Sequence, residues 1–361
     1  MIQTIIIYGV ALSFCFVLAQ NAQKSEKRGY IVAIIALLTL LAGLRKYSVG
    51  IDTHTYVSYL NLIRNGQFDY VWGVEYTFKV IMLLLGKVFK GYTAFLLILA
   101  LITNACIVMR LWDFRDISKF EWAILVYFIM FYFYGYNAIR QMCAVAIVFW
   151  SSRYIEKGKY LLFLAGVAVA CLFHTSAILS ICYLFSEFAN WRYLEKWKKR
   201  IISASAFFVP TGVIYSIKTL SDYSRYFATS NIRLGPVLFA KLVFYLISLY
   251  GLRKEILYCE KKNNQLVLKD RGRSLNYKIR SIEAYYLVGL LVAFSGYVNQ
   301  TVFRASLYFY ILECVYMGVI MRYKKIKTGY PILIVLLYSY LFLGTVFAGG
   351  QGQVPYLFFW Q

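Results

Sequence analysis

Apolar stretches recur along the whole chain and are separated by short polar loops. A helix needs roughly 20 apolar residues to cross the hydrocarbon of a bilayer, and somewhat fewer in places, so the pattern predicts about twelve spans. They fall near 3–20, 29–44, 92–109, 120–136, 139–154, 160–173, 175–188, 201–218, 236–252, 283–298, 303–320 and 330–347. Segment 74–89 (VEYTFKVIMLLLGKVF) is shorter and carries Lys79 and Lys87, which predicts an interfacial or re-entrant helix. The runs 160–173 and 175–188 are short for full spans and suit a broken pair with its elbow at His174. Irregular backbone at membrane depth is tolerated only where it is buried in protein or lines a cavity. The expectation is an all-α polytopic membrane protein forming a single integral domain over 1–361.

Composition agrees: 61% of residues are hydrophobic and 15% charged, against about 25% charged in soluble domains. A net charge of +23 would point a soluble chain toward nucleic acid. In a polytopic chain, cytoplasmic loops collect Lys and Arg, so no nucleic acid partner is expected. The basic residues crowd into alternate loops, at 24–28, 110–119, 153–159, 192–200, 253–280 and 322–327. That places loop 253–282 in the cytoplasm, where solvated positive-inside anchoring is the default reading and contact with anionic lipid or a partner the alternative, and puts 45–75, 137–141, 219–235, 299–304 and 348–361 outside. The alternative topology makes 74–89 a span and fuses 160–188, which moves the loops around Arg115 and Lys157 outside. The first twenty residues have no basic stretch before their apolar run, the reverse of a cleaved leader. They are expected to be an uncleaved first span with its N-terminus outside.

The outer loops are sparse but chemically pointed. The first contains Arg45, Gly50, Asp52, Thr53, Tyr56 and Glu75. Gly50 permits a tight turn, after which Asp52 caps a new helix. NAIRQ at 137–141 puts Arg140 at the outer start of a span, flanked by Asn137 and Gln141. An arginine facing a bundle is costly unless it meets a counter-charge or an anion, and its fork suits phosphate oxygens. His174 in CLFHTSA is the side chain best suited to exchange a proton near neutral pH. Loop 219–235 adds Arg225, Tyr226 and Arg233; NQTVFR adds Asn299 and Arg304; the C-terminal tail adds Tyr356. Each has a plainer reading: a cap or Arg45 partner for Asp52, a snorkelling Arg140, a satisfied packing His174, an interfacial belt for the aromatics. Together, several arginines with a His, an Asp and aromatics indicate a site for an anion plus a sugar. No phosphate-binding glycine loop, zinc motif or cofactor motif is present, and the seven cysteines and two histidines lack metal spacing.

The ordered series Arg45, Gly50, Asp52, Thr53, Tyr56, then Glu75, then Asn137 to Gln141, then Phe173 to Ala177, then Arg225–Tyr226 and Pro355–Tyr356 resembles the EpsG family. The likeness runs from about residue 40 to the C-terminus and is densest over 45–177. That bacterial family is similar to Wzy-type polysaccharide polymerases. The resemblance implies a metal-independent glycosyltransferase of GT-C-like fold in the cytoplasmic (inner) membrane, its active site facing outward. Its donor and acceptor would be undecaprenyl-diphosphate-linked oligosaccharides, with a chain-length regulator and other polysaccharide-assembly proteins as partners. In this reading Arg140, Arg225, Arg304 and Arg45 bind the diphosphate. His174 is the first choice of base, with Asp52 or Glu75 next. Tyr56, Asn137, Gln141, Tyr226, Arg233, Asn299 and Tyr356 contact substrate. A ligase of the O-antigen type would use the same constellation. An exporter or flippase would carry polar residues through both leaflets, and a membrane O-acyltransferase would have no use for the arginines.

Overall fold

The computed structural model describes residues 2–184, 239, 241–243, 245–246, 275–295, 300–322, 329–348 and 352–361. Among these the chain is helical and forms no strand. The order is α1 (Ile2–Ser25), α2 (Arg28–Gly43), α3 (Thr53–Arg64), α4 (Tyr76–Val88), α5 (Tyr92–Asp113), α6 (Phe120–Tyr127), α7 (Tyr134–Asn137), α8 (Ile139–Ser151), α9 (Arg153–Glu156) and α10 (Tyr160–Cys171). Then come α11 (Leu275–Ser295), α12 (Gln300–Tyr310), α13 (Glu313–Arg322) and α14 (Gly329–Ala348).

Among the described residues three stretches are long and apolar enough to cross a membrane: Ile2–Ser25, Tyr92–Asp113 and Arg304–Arg322. Shorter apolar helices accompany them, among them Arg28–Gly43 and Tyr160–Phe173. Helix α8 is the centre: it is buried along nearly its whole length and packs against α5 and α10. Helices α1 and α2 pack on one another, α2 on α5, and α6 on α13. Gly289 on α11 lets α12 approach closely, since a Cβ there would lie 2.6 Å from the Tyr310 nitrogen. Small residues allow such backbone contact between membrane helices.

The structure departs from uniform spans at several places. The first outer loop contains the twelve-residue helix α3 and a 3-10 turn at Phe68–Tyr70. Segment 74–89 forms α4, which packs on α3 and α5, and its Lys79 ammonium donates to the Phe68 carbonyl at 3.0 Å. The predicted span 120–136 is interrupted: α6 passes into a π-helical turn at Phe128–Tyr132 before α7. The run after His174 is a 3-10 helix, Thr175–Leu184, so the chain does break there. Helix α11 begins at Leu275, inside the predicted cytoplasmic loop, and the predicted span 303–320 corresponds to the apolar stretch Arg304–Arg322, with a turn at 311–312 between α12 and α13. Span 201–218, most of 236–252 and loop 219–235 lie outside the described residues.

Charge marks the two ends of α8. At its C-terminal end Arg110 donates to Ser152 Oγ at 3.1 Å and pairs with Glu156 and Asp113, while Arg153 reaches Asp113 at 3.1 Å. Arg140 stands at the other end, about 20 Å away along thirteen helical residues.

Candidate functional site

The break between α7 and α8 builds one wall of the site. Ala138 leaves helical geometry, so Asn137 and Arg140 sit on either side of a kink at the end of a π-interrupted segment. π-helical turns occur frequently at functional sites. The buried Asn137 amide oxygen accepts the N–H groups of Ile51 at 2.6 Å and Asp52 at 3.4 Å. Thr53 Oγ1 donates to the Tyr136 carbonyl at 2.9 Å. Gly50 makes this docking possible: its φ is +98°, and a Cβ would meet the Tyr136 carbonyl at 2.7 Å.

Arg140 gathers partners from three segments. Its Nε donates to Tyr56 Oη at 3.1 Å, its Nη2 to the Gly73 carbonyl at 2.9 Å, and its Nη1 to the Glu75 carboxylate. The guanidinium also lies 5.9 Å from the ring centres of Tyr56 and Phe78. A guanidinium carries five N–H groups, so among the described residues these three bonds leave two without a partner. Glu75 and Arg140 are each about 15% exposed at the side chain, which keeps their charges together without sealing them from solvent. Burial raises the Tyr56 hydroxyl above its ordinary pKa, against the pull of Arg140.

Glu75 continues to the elbow after α10. Its Oε1 accepts the Thr175 N–H at 3.2 Å and lies 3.9 Å from His174 Nδ1. That nitrogen is 2.8 Å from Ser176 Oγ and accepts the Ser176 N–H at 3.3 Å; Ser176 Oγ is in turn 3.1 Å from Tyr308 Oη on α12. Burial lowers the pKa of His174; Glu75 opposes this, while Arg140 and Arg304 add to it. The imidazole is therefore neutral near pH 7.

The remaining candidates divide. Arg304 acts electrostatically on His174, its carbonyl accepts the Gln141 side-chain N–H at 2.9 Å, and no hydrogen bond to its guanidinium occurs among the described residues. Asp52 occupies the N-cap position of α3 but makes no side-chain cap bond. Its half-buried carboxylate acts electrostatically on Tyr56 and receives no hydrogen bond among the described residues. Arg45 is buried elsewhere: it bonds the carbonyls of Ala42 and Val49 and Thr53 Oγ1, and lies over the Tyr136 ring at 4.4 Å. Tyr356 is buried against Tyr8 and donates to the Leu41 carbonyl at 2.9 Å, so it braces the α2–α3 corner. Arg225, Tyr226, Arg233 and Asn299 lie outside the described residues.

Four contributors escaped the sequence reading: the Gly73 carbonyl, Phe78, the Ser176 side chain as a histidine partner, and Tyr308. Only Ser176 had a signal, its place in the FHTSA run beside His174. Tyr308 follows Arg304 by four residues, one helical turn, and so shares its face of α12.

Among known families, the model of the EpsG family matches residues 29–358. No curated protein and no solved structure matches the chain.

Proposed function

This chain belongs to the EpsG family, which is associated with polysaccharide polymerisation, and on that premise we propose that it polymerises lipid-linked oligosaccharide repeat units. The reading extends to a GT-C-like architecture of about twelve spans in the bacterial inner membrane, with the Arg140 site opening outward. The substrates are undecaprenyl-diphosphate-linked oligosaccharides, one as donor and one as acceptor, and the product is an exopolysaccharide or surface polysaccharide. The observation that carries this is Arg140, held by Tyr56, Gly73 and Glu75 with two N–H groups that have no partner among the described residues, and acting with Arg304 on His174.

In the reaction an acceptor hydroxyl oxygen bonds to the anomeric carbon of the donor chain. The bond from that carbon to the diphosphate oxygen breaks, and undecaprenyl diphosphate leaves with the electron pair. Negative charge grows on the leaving oxygen, where preorganised donors act most strongly. Arg140 and Arg304 supply that stabilisation, joined by Arg225 from loop 219–235, so no metal is required. Arg45 contributes by holding the loop that carries Asp52 and Thr53. The hydroxyl proton goes to a carboxylate. Glu75 is committed to Arg140 and Thr175, whereas the Asp52 carboxylate, with no hydrogen bond among the described residues, takes the proton.

The test is deletion of the gene in its host, followed by mass spectrometry of the lipid-linked glycans. Wild-type and Arg140→Ala copies are then restored in turn. Build-up of single diphosphate-linked repeat units, relieved by wild type alone, is the expected result. Long polymer retained on the carrier lipid would indicate a ligase or exporter, and an unchanged lipid pool would remove the glycan reading.

A further inference from the structure

We infer that Ser176 and Tyr308 hold His174 as a neutral imidazole with its proton on Nε2, so that it serves the site as a hydrogen-bond donor to a ligand oxygen and not as a base. The inference rests on the glycosyl-transfer reading for its substrate, but its geometry stands apart from it.

The Ser176 main-chain N–H reaches His174 Nδ1 at 3.3 Å. A peptide N–H can only donate, so Nδ1 must present its lone pair. Ser176 Oγ, 2.8 Å from the same nitrogen, donates there as well and accepts from the Tyr308 hydroxyl at 3.1 Å. The chain therefore runs in one direction, from Tyr308 through Ser176 to Nδ1. In a neutral ring the proton is then on Nε2. The Glu75 carboxylate does not reverse this: it lies 3.9 Å from Nδ1, and the nearer oxygen already accepts the Thr175 N–H.

The charged groups around the ring act the same way. Arg140 from α8 and Arg304 from α12 both disfavour an imidazolium; Glu75 at the start of α4 alone favours it. A general base needs an exposed lone pair, and the only one on this ring is already occupied by two donors. Nε2–H, which has no hydrogen-bond partner among the described residues, is the group left for substrate. Beside two arginines its natural acceptor is an oxygen of the leaving diphosphate or of the sugar that bears it. Ser176 and Tyr308 are positioning residues in this scheme.

Two measurements decide it. The purified protein, labelled with 15N-histidine, has two histidines to resolve, and His54→Gln assigns His174. At pH 7 a pyridine-type Nδ1 and a pyrrole-type Nε2 are expected; a protonated Nδ1, or an imidazolium, would overturn the proposal whatever the protein's activity. In the deletion host, His174→Gln, whose amide N–H stands near the place of Nε2–H, should polymerise within about tenfold of wild type, while His174→Ala and His174→Asn fall about a hundredfold or more. Gln no better than Ala overturns the donor role. Ser176→Ala and Tyr308→Phe should each lower polymer about fivefold to tenfold, and Ser176→Thr should restore it. Wild-type polymer from His174→Ala would remove His174 from the reaction and overturn the proposal, and Arg140→Ala in the same series reports separately whether the glycosyl-transfer reading survives.

Discussion

Glu75 and Arg140 form an ion pair that joins the start of α4 to the first turn of α8, and the second Glu75 oxygen accepts the Thr175 N–H at the elbow after α10. One carboxylate thus registers three segments that are far apart in sequence. Glu75→Gln should lower the melting temperature in detergent, since Gln keeps one acceptor but loses the charge. A double-mutant cycle with Arg140→Gln should return a coupling of about 1–3 kcal/mol. Additive single effects would mean that the two side chains stand side by side without holding each other.

Arg140→Lys tests the fork itself. An ammonium cannot reach Tyr56, Gly73 and Glu75 together and still offer two N–H groups outward. Polymer formation should fall about a hundredfold, the usual consequence of losing a donor aimed at developing charge. Comparable polymer from the Lys variant would reduce Arg140 to a point charge.

His174 makes stability depend on pH in a defined direction. Its folded-state pKa lies below the ordinary value because of burial, with Arg140 and Arg304 adding to the effect against Glu75. The stabilisation is complete above the unfolded value, near 6.5, and is lost as pH falls through the lowered folded value. Melting temperature should therefore drop more on acidification below about 6.5 for wild type than for His174→Gln. Arg304→Gln, which removes a charge opposing protonation, should shrink the wild-type drop; parallel curves for all three proteins would contradict the assignment.

Much of this architecture was legible along the chain because its signals are local. Apolar runs located the helices, Gly50 the turn, and the FHTSA break the elbow, where α10 gives way to a 3-10 helix. NAIRQ was found because an arginine at the start of an apolar run is costly unless partnered. What stayed hidden was which partner each side chain takes. Arg45 and Arg140 look alike in sequence, yet one is buried under its own loop and the other lines the candidate site. The π-helical turn at Phe128–Tyr132 leaves no mark either, since a bulge preserves the apolar run that conceals it.

Lys241 and Glu313 were also invisible as a pair, being 72 residues apart. Both are buried, 2.7 Å apart at Nζ and Oε1; Lys241 Nζ donates to Tyr310 Oη at 2.7 Å and Tyr338 Oη donates to Glu313. Removing one partner leaves a bare buried charge, which costs about 3–5 kcal/mol. Lys241→Met and Glu313→Gln should each sharply reduce recovery of folded protein from membranes. The double variant should be recovered better than either, and a double variant worse than both would show the cluster to be required as a charged unit.

The corner around Gly50 offers a test of how the site is held at a distance. The Gly50 N–H donates to the Gly352 carbonyl at 2.7 Å, Lys46 N–H to the Leu357 carbonyl at 2.8 Å, and Phe359 N–H to the Leu44 carbonyl at 2.9 Å. The C-terminal tail is thereby stitched to the loop that presents Asp52. Any side chain at Gly50 must both adopt φ +98° and displace the Tyr136 carbonyl, a strain of about 1–3 kcal/mol. The loop relieves it by lifting away from Asn137, which releases the N–H groups of Ile51 and Asp52. Gly50→Ala should therefore lower polymer formation several-fold while Arg140 and Glu75 remain paired, and limited proteolysis should cut the tail faster than in wild type. A variant with reduced polymer but an equally protected tail would show that the loop moves independently of the tail; unchanged polymer would show that Asp52 needs no such support.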